Sequence, residues 1–204
     1  MAETVRFWID PICPWCWVTS RWFRSIQSER ELAVTWEPIS LFVKNSPASD
    51  TPYFETSKWS HGLLRVLESV RTKVGDDAVG DLYLEYGRRI HHDGERQWSP
   101  TEALTAIGLD TIHAEAADDE SWDDEIQRRM NEGLALVGND VGTPIISVRR
   151  DDREVALFGP VVTRVPEPSA ALALWDATVL LAGLDEFYEL KRSRNARPQV
   201  GDRP

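Results

Sequence analysis

Cys13 and Cys16 are the only two cysteines of this 204-residue chain. They stand in the run Phe7-Trp8-Ile9-Asp10-Pro11-Ile12-Cys13-Pro14-Trp15-Cys16-Trp17. A thiol attacks only as the thiolate, and a cysteine with the ordinary pKa of about 8.5 is mostly protonated at neutral pH. At a helix N-terminus the unpaired N–H groups and the helix dipole favour the anion. If a helix opens at this run, Cys13 holds its end and Cys16 lies almost one turn further in. Their Cα atoms are then about 5–6 Å apart, inside the usual disulfide range. The expected chemistry is thiol–disulfide exchange, with Cys13 as the nucleophile that takes the substrate and Cys16 as the thiol that resolves the mixed disulfide. Pro14 stiffens the turn between them, and Trp15 offers an apolar face that both lines the cleft and packs, without the charge a histidine could bring. A weaker oxidant than a C-P-H-C site is therefore expected. A zinc half-site would need two more ligands, and there is neither a second C-x-x-C nor an H-x₃₋₅-H, so no metal is expected. A purely structural disulfide would not need a helix end.

These roles require a strand, a helix and a second strand around the motif. Val5 to Ile9 reads as a short apolar strand ended by Asp10-Pro11. From Cys13 to about Glu29, Trp15, Val18, Trp22 and Ile26 recur near one helical face, with Pro14 suited to the first helical position. Leu32 to Val43 reads as the second strand. Asn45 to Pro52 is dense in turn formers. Helices are then expected over about Phe54–Val74 (Leu63, Leu67 and Val70 inward) and Ala78–His91 (Val79, Leu82, Tyr83, Tyr86 and Ile90 inward). Another starts at Ser99-Pro100, where Glu102 would complete a capping box. A short helix over Asp110–Ala117 and a long one over Trp122–Val137 ending at Gly138 follow. Thr143–Val148 and Glu154–Phe158 flank the polar turn Arg150-Asp151-Asp152-Arg153 as a hairpin, and Gly159-Pro160 closes it. A last helix is expected from about Ser169 to Leu190, and a frayed tail after it.

Composition narrows the function further. A net charge of −11 lacks the basic footprint that nucleic acid or an anionic membrane surface calls for. The longest apolar-rich run, Ala170 to Leu184, is broken by Asp176 and is shorter than the roughly 20 residues that span a bilayer. The first residues show no basic region leading into an apolar one. A cytoplasmic protein is expected, and in a reducing compartment a C-x-x-C within β-α-β reads as a redox motif rather than a staple.

The order β-α-β, helices, β-β-α is an α/β thioredoxin fold with an all-helical insertion between its two halves, the DsbA-like pattern. The expected division is 1–44 with 139–192 as the thioredoxin-like domain, 45–138 as the helical insertion, and 193–204 as a flexible tail. The motif Phe7-Trp8-x-Asp10-Pro11-x-Cys13-Pro14-Trp15-Cys16-Trp17, with Gly142-Thr143-Pro144 and Phe158-Gly159-Pro160, resembles the DsbA-like mycothiol-dependent reductases of actinobacteria, also called mycothiol-dependent nitroreductases. Arg89-Ile90-His91, Leu174-Trp175-Asp176 and Phe187-Tyr188-Glu189-Leu190-Lys191-Arg192 extend the resemblance over nearly the whole chain, with Asn45 to Gly62 departing most.

The resemblance implies a homodimer that reduces small electrophiles, nitroaromatics among them, or mixed disulfides. Its dithiol would be recycled by mycothiol, with no flavin or other bound cofactor. It also implies that Pro144 is cis beside the cysteines, that the backbone of Thr143 contacts substrate, and that His91 and Asn45 border the cleft. Asp10 reads either as a proton relay for Cys16 or as a plain turn residue, and His92 as a solvated partner of the helix end. Two other readings stand beside this one. One is an enzyme like glutathione S-transferase kappa or the 2-hydroxychromene-2-carboxylate isomerases, which keep a serine at the nucleophile position. The other is a non-catalytic binding module or chaperone with a vestigial motif.

Overall fold

The computed structural model describes residues 3–150 and 152–204, and Arg150 through its backbone alone. Strand β1 (Glu3–Ile9) is central in a four-stranded sheet of order β2-β1-β3-β4. It runs parallel to β2 (Leu32–Pro38), with Phe7 opposite Trp36, and antiparallel to β3 (Ile145–Arg150), with Phe7 opposite Ile146. β3 pairs antiparallel with β4 (Arg153–Phe158). Asp151, in the expected hairpin turn, lies outside the described residues.

Because strand side chains alternate between faces, β1 is buried on both sides by different partners. Val5, Phe7 and Ile9 join the main core with Trp22, Phe23 and Trp175, residues of α1 (Pro14–Ile26) and α7 (Pro168–Ala182). Trp8 points the other way, into a second cluster with Ile39, Met130, Leu134 and Ile145, the methionine and Leu134 coming from α6 (Asp123–Val137). Its indole N–H donates to the Arg129 carbonyl at 2.9 Å. A helix of the insertion therefore closes the second face of the sheet.

The remaining insertion elements are α3 (Phe54–Lys73), α4 (Asp76–Gly87) running on into a π-helical turn over Arg88–His92, α5 (Pro100–Ala106) and 3₁₀ turns over Thr111–Asp118 and Glu120–Trp122. Glu37 of β2 anchors the insertion to the sheet. It takes Arg6 of β1 at 3.0 Å and Arg129 of α6 at 2.9 Å, and Arg129 also reaches Glu68 of α3 at 3.2 Å. This is a thioredoxin fold with an all-helical insertion between its βαβ and ββα halves.

Several expected boundaries move. β2 stops at Pro38 rather than Val43, because proline cannot extend the ladder and the next residues form the short helix α2 (Leu41–Asn45), whose N-cap Ser40 accepts from the Val43 N–H at 3.1 Å. α1 ends at Ile26, before Glu29, in a turn that carries Glu31 at φ +49°. Ser99 does cap α5, accepting from Thr101 N–H, but Glu102 does not complete a capping box. Its carboxylate pairs with Arg89 at 3.0 Å. α7 ends at Ala182 instead of Leu190. Gly183 weakens the helix there, and from Leu184 to Leu190 only Phe187 is even half-buried, so no packing compensates.

The tail expected to fray is instead laid back on the molecule. Gln199 N–H donates to the Thr163 carbonyl at 2.7 Å, Arg203 forks onto Asp93, and Arg88 donates to the Pro204 carbonyl at 2.8 Å.

Candidate active site

The site is built where β1 ends. Asp10 turns the chain by accepting the Ile12 N–H at 3.1 Å on its own carboxylate, and its carbonyl accepts the Cys13 N–H at 3.1 Å. Cys13 is then the N-cap of α1, with extended backbone (φ −76°, ψ 108°), and Pro14 begins the helix. The Cys13 sulfur accepts the Cys16 N–H at 3.5 Å, so the helix end does aim an amide at it as the sequence implied. Both cysteines are free thiols.

Thr143-Pro144 arrives from the other half of the chain, and this peptide bond is cis, as is Gly159-Pro160. The Thr143 carbonyl faces the Cys13 sulfur at 4.0 Å, while its hydroxyl donates to the Trp8 carbonyl at 2.7 Å. That same carbonyl takes the Cys16 thiol at 3.8 Å. On the insertion side, the Tyr83 hydroxyl lies 3.6 Å from the Cys16 sulfur.

The expected asymmetry in exposure is present but slight, with Cys13 8% and Cys16 0% exposed. The expected activation of Cys13 is not present in this conformation. Burial pushes its thiol well up, neighbouring Cys16 adds to the shift, and the amides of Cys16 and Trp15 only partly oppose it. Cys16 is pushed up to about 11, again by burial, which the neighbouring Thr143 and Tyr83 side chains only partly oppose. Desolvation outweighs the helix end because water is excluded from both sulfurs. Burial thus favours the neutral thiol at both sulfurs.

Trp15 is half-buried with the Arg194 guanidinium of the tail 5.3 Å over its ring. Trp17, read from sequence only as one of a crowd, is the aromatic centre of the site. His91 lies flat on it, Tyr83 meets it edge-on, and its indole N–H donates to the His92 ring at 3.2 Å. His92 is thus a specific partner rather than a solvated helix-end residue. His91 Nε2 lies 2.8 Å from the Pro11 carbonyl, to which it donates, and burial pushes its pKa down to about 4. Asn45 is exposed at the far end of α2, and none of the hydrogen bonds described joins it to the cysteines.

The Asp10 carboxyl is fully enclosed, taking Ser60 Oγ–H at 2.6 Å and Leu41 N–H at 2.7 Å besides Ile12. Burial pushes its pKa up against these three donors. Tyr83 and Ser60 were not read as site residues, because at helical spacing both look like packing positions on α4 and α3. A signal existed for Tyr83 alone, since a buried phenol needs a hydrogen-bond partner.

Among the described residues no three His, Cys, Asp or Glu side chains gather closely enough to hold a metal. A solvent-open hollow of about 460 Å³ lies at the other end of α1, lined by Arg24, Gln27 and Glu31 among others, and neither cysteine reaches it.

With this geometry, the chain matches the model of the Rv2466c-like family, described as mycothiol-dependent nitroreductase Rv2466c, over residues 12–192. The chain belongs to that family. As an Rv2466c-like protein it is an oxidoreductase, which sets aside the isomerase and binding-module readings. It is 29% identical over 198 residues to Rv2286c, an uncharacterized protein of Mycobacterium tuberculosis, covering 94% of this chain and 83% of that one.

Among solved structures, the cytosolic disulfide reductase DsbM from Pseudomonas aeruginosa with GSH superposes with a TM-score of 0.56 at 17% identity. The match covers 87% of this chain and 100% of that one. Oxidised BdbD from Bacillus subtilis gives 0.58 at 15% identity, over 87% and 88%. At such identities these neighbours speak for the fold, which is DsbA-like. No helix among the described residues is long and apolar enough to cross a membrane.

Proposed function

We propose that this Rv2466c-like protein is a cytoplasmic dithiol reductase that draws electrons from mycothiol and passes them to small electrophiles, nitroaromatics among them, or to mixed disulfides. The observation that carries the reading is the meeting of Cys13, as N-cap of α1, with the Thr143 carbonyl at 4.0 Å beside cis-Pro144, in a chain of a mycothiol-dependent family.

For a disulfide substrate RS–SR′, the Cys13 thiolate attacks one sulfur, a Cys13–SR bond forms, and R′S⁻ leaves. The Cys16 thiolate then attacks the Cys13 sulfur, and RS⁻ leaves with the intramolecular disulfide formed. Two mycothiol thiols return the two electrons, the first by forming a mixed disulfide at Cys13, the second by removing it as mycothiol disulfide.

Pro14, Trp15, Thr143, Pro144 and His91 form the substrate-facing surface in this reading, and Asn45 borders it from α2. Asp10, with a carboxyl whose pKa is raised by burial, holds the proton that Cys16 gives up. Since both thiols are buried, substrate entry requires an opening. We place the thioredoxin-like unit at 1–44 and 139–192 and the insertion at 45–138, and assign a homodimer to the apolar outer face of α7, where Leu180 is 64% exposed on a helix apolar nearly all round. The cytoplasm, which keeps thiols reduced, suits a two-cysteine chain.

A turnover assay with mycothiol, glutathione or thioredoxin as donor tests this reading. Mycothiol should support the fastest turnover, Cys13→Ser should abolish it, and Cys16→Ser should trap a mixed disulfide with mycothiol. Wild-type turnover by Cys13→Ser would overturn the mechanism.

A further inference from the structure

We propose that Tyr83, contributed by the insertion, is a catalytic residue of the dithiol cycle, its hydroxyl donating a hydrogen bond to the Cys16 sulfur whenever that sulfur carries the negative charge. The inference rests on the dithiol reading above and adds to it a donor for the buried thiolate.

Cys16 is fully buried, so its thiolate has no water to stabilise it. Its other close partner, the Trp8 carbonyl at 3.8 Å, suits the protonated thiol and repels the anion. The Thr143 hydroxyl, which could help, has its one proton engaged by that same Trp8 carbonyl at 2.7 Å. Tyr83 Oη, 3.6 Å from the sulfur, is the donor placed to serve the anion. The neighbouring Ser20 hydroxyl donates to the Trp17 carbonyl at 2.7 Å, so towards the phenol it is a neutral acceptor, and the phenol's proton turns to the sulfur when that sulfur carries the charge. The phenol keeps that proton when Cys16 ionises, since it is the weaker acid in water and burial pushes its pKa well above the usual value.

The donor is also held rigidly. The Tyr83 ring meets Trp17 edge-on at 5.9 Å and leans on Trp36 at 5.5 Å. α4 is pressed against those two indoles at its glycines, where a Cβ on Gly87 would stand 2.0 Å from the Trp17 ring and one on Gly80 2.8 Å from the Trp36 nitrogen. The hydrogen bond thus costs little reorganisation as charge develops, which is what makes such a donor effective in a water-excluded site.

The step it serves is the opening of the Cys13–Cys16 disulfide. A mycothiol thiolate attacks the Cys13 sulfur, a bond between the two sulfurs forms, and the Cys13–Cys16 bond breaks. The electron pair goes to the Cys16 sulfur, which accepts the Tyr83 hydrogen bond and is protonated afterwards. In the reverse direction the same bond lowers the cost of forming the Cys16 thiolate that attacks a mixed disulfide.

Tyr83→Phe keeps the ring and deletes the donor. In rapid-mixing experiments, opening of the oxidised Tyr83→Phe protein by mycothiol should slow about tenfold, equivalent to about 1.4 kcal/mol. Ultraviolet thiolate titration in a Cys13→Ser background should show the Cys16 pKa rising by about one unit, a readout that a packing role would not move. 2-Fluorotyrosine at position 83, close to the native shape with a slightly more acidic phenol that is still a weaker acid than the thiol, should lower the Cys16 pKa and remains informative if Tyr83→Phe fails to fold. An unchanged Cys16 pKa in either variant overturns the proposal. If instead Cys13→Ser alone retains turnover, the dithiol reading itself has failed.

Discussion

His91 lies flat on Trp17, with 5.7 Å between ring centroids and 16° between the planes. The stack joins the π-helical turn of the insertion to the helix that carries the cysteines, and it places a histidine where protonation is costly. Burial holds its pKa down to about 4, Arg96 and His92 add to that, and only the Pro11 carbonyl opposes it. The unfolded chain, with a histidine near 6.5, therefore takes up a proton that the folded form refuses. The contribution to stability is complete above pH 6.5 and is lost as pH falls from 6.5 towards 4. Denaturant unfolding of wild type and His91→Gln across this window should show a smaller loss in the variant on acidification. Parallel pH profiles would mean that His91 titrates normally.

Gly87 faces two opposed effects. On an isolated helix, alanine would be better than glycine by about 1 kcal/mol. Here a Cβ would stand 2.0 Å from the buried Trp17 ring, which cannot swing aside without leaving His91, His92 and Tyr83. Overpacking of this kind costs about 1–3 kcal/mol or more, so Gly87→Ala should lower the unfolding midpoint. Combining it with Trp17→Leu should relieve the clash, leaving the double variant more stable than the sum of the single losses. A more stable Gly87→Ala protein would contradict this packing.

Asp10 receives a backbone N–H on each carboxylate oxygen, from Ile12 on one and Leu41 on the other, with Ser60 sharing the first. An asparagine in its place could accept only on one side, and either way its amide would turn N–H groups towards a backbone donor that cannot move. Leaving a buried donor unpaired costs about 1–3 kcal/mol, so Asp10→Asn should destabilise the protein and loosen the start of α2. Thermal melting checks it, and an Asp10→Asn protein as stable as wild type would show that burying the carboxyl costs more than its hydrogen bonds return.

The dithiol and the halves of the sheet were legible because each rests on local pattern: C-x-x-C after an apolar strand, Pro14 at a helix start, and alternation on either side of Arg150 to Arg153. The cis peptide at Pro144 came from resemblance, not from spacing. What escaped was whatever depends on distant side chains. Nothing near Tyr83 in sequence marks it as a neighbour of Cys16, 67 positions away. The activation that a helix end gives Cys13 is opposed by burial in the structure; a helix end is visible in sequence and the wall that excludes water from it is not. α7 is shorter than its apolar run suggests, because from Leu184 to Leu190 only Phe187 is even half-buried.

The central strand takes its two neighbours from opposite ends of the synthesis order. β1 pairs first with β2, close behind it, while β3 begins only at Ile145, after the whole insertion. At ribosomal rates the about 100 intervening residues take on the order of ten seconds. Throughout that interval the growing chain carries both thiols without Thr143, and with one edge of its central strand open. Every copy therefore passes through a stage in which its reactive pair is exposed before it is regulated by its fold. Non-local closure of this kind is slow by nature, and the β1–β3 pairing that brings Thr143 to Cys13 can form only once β3 has been made.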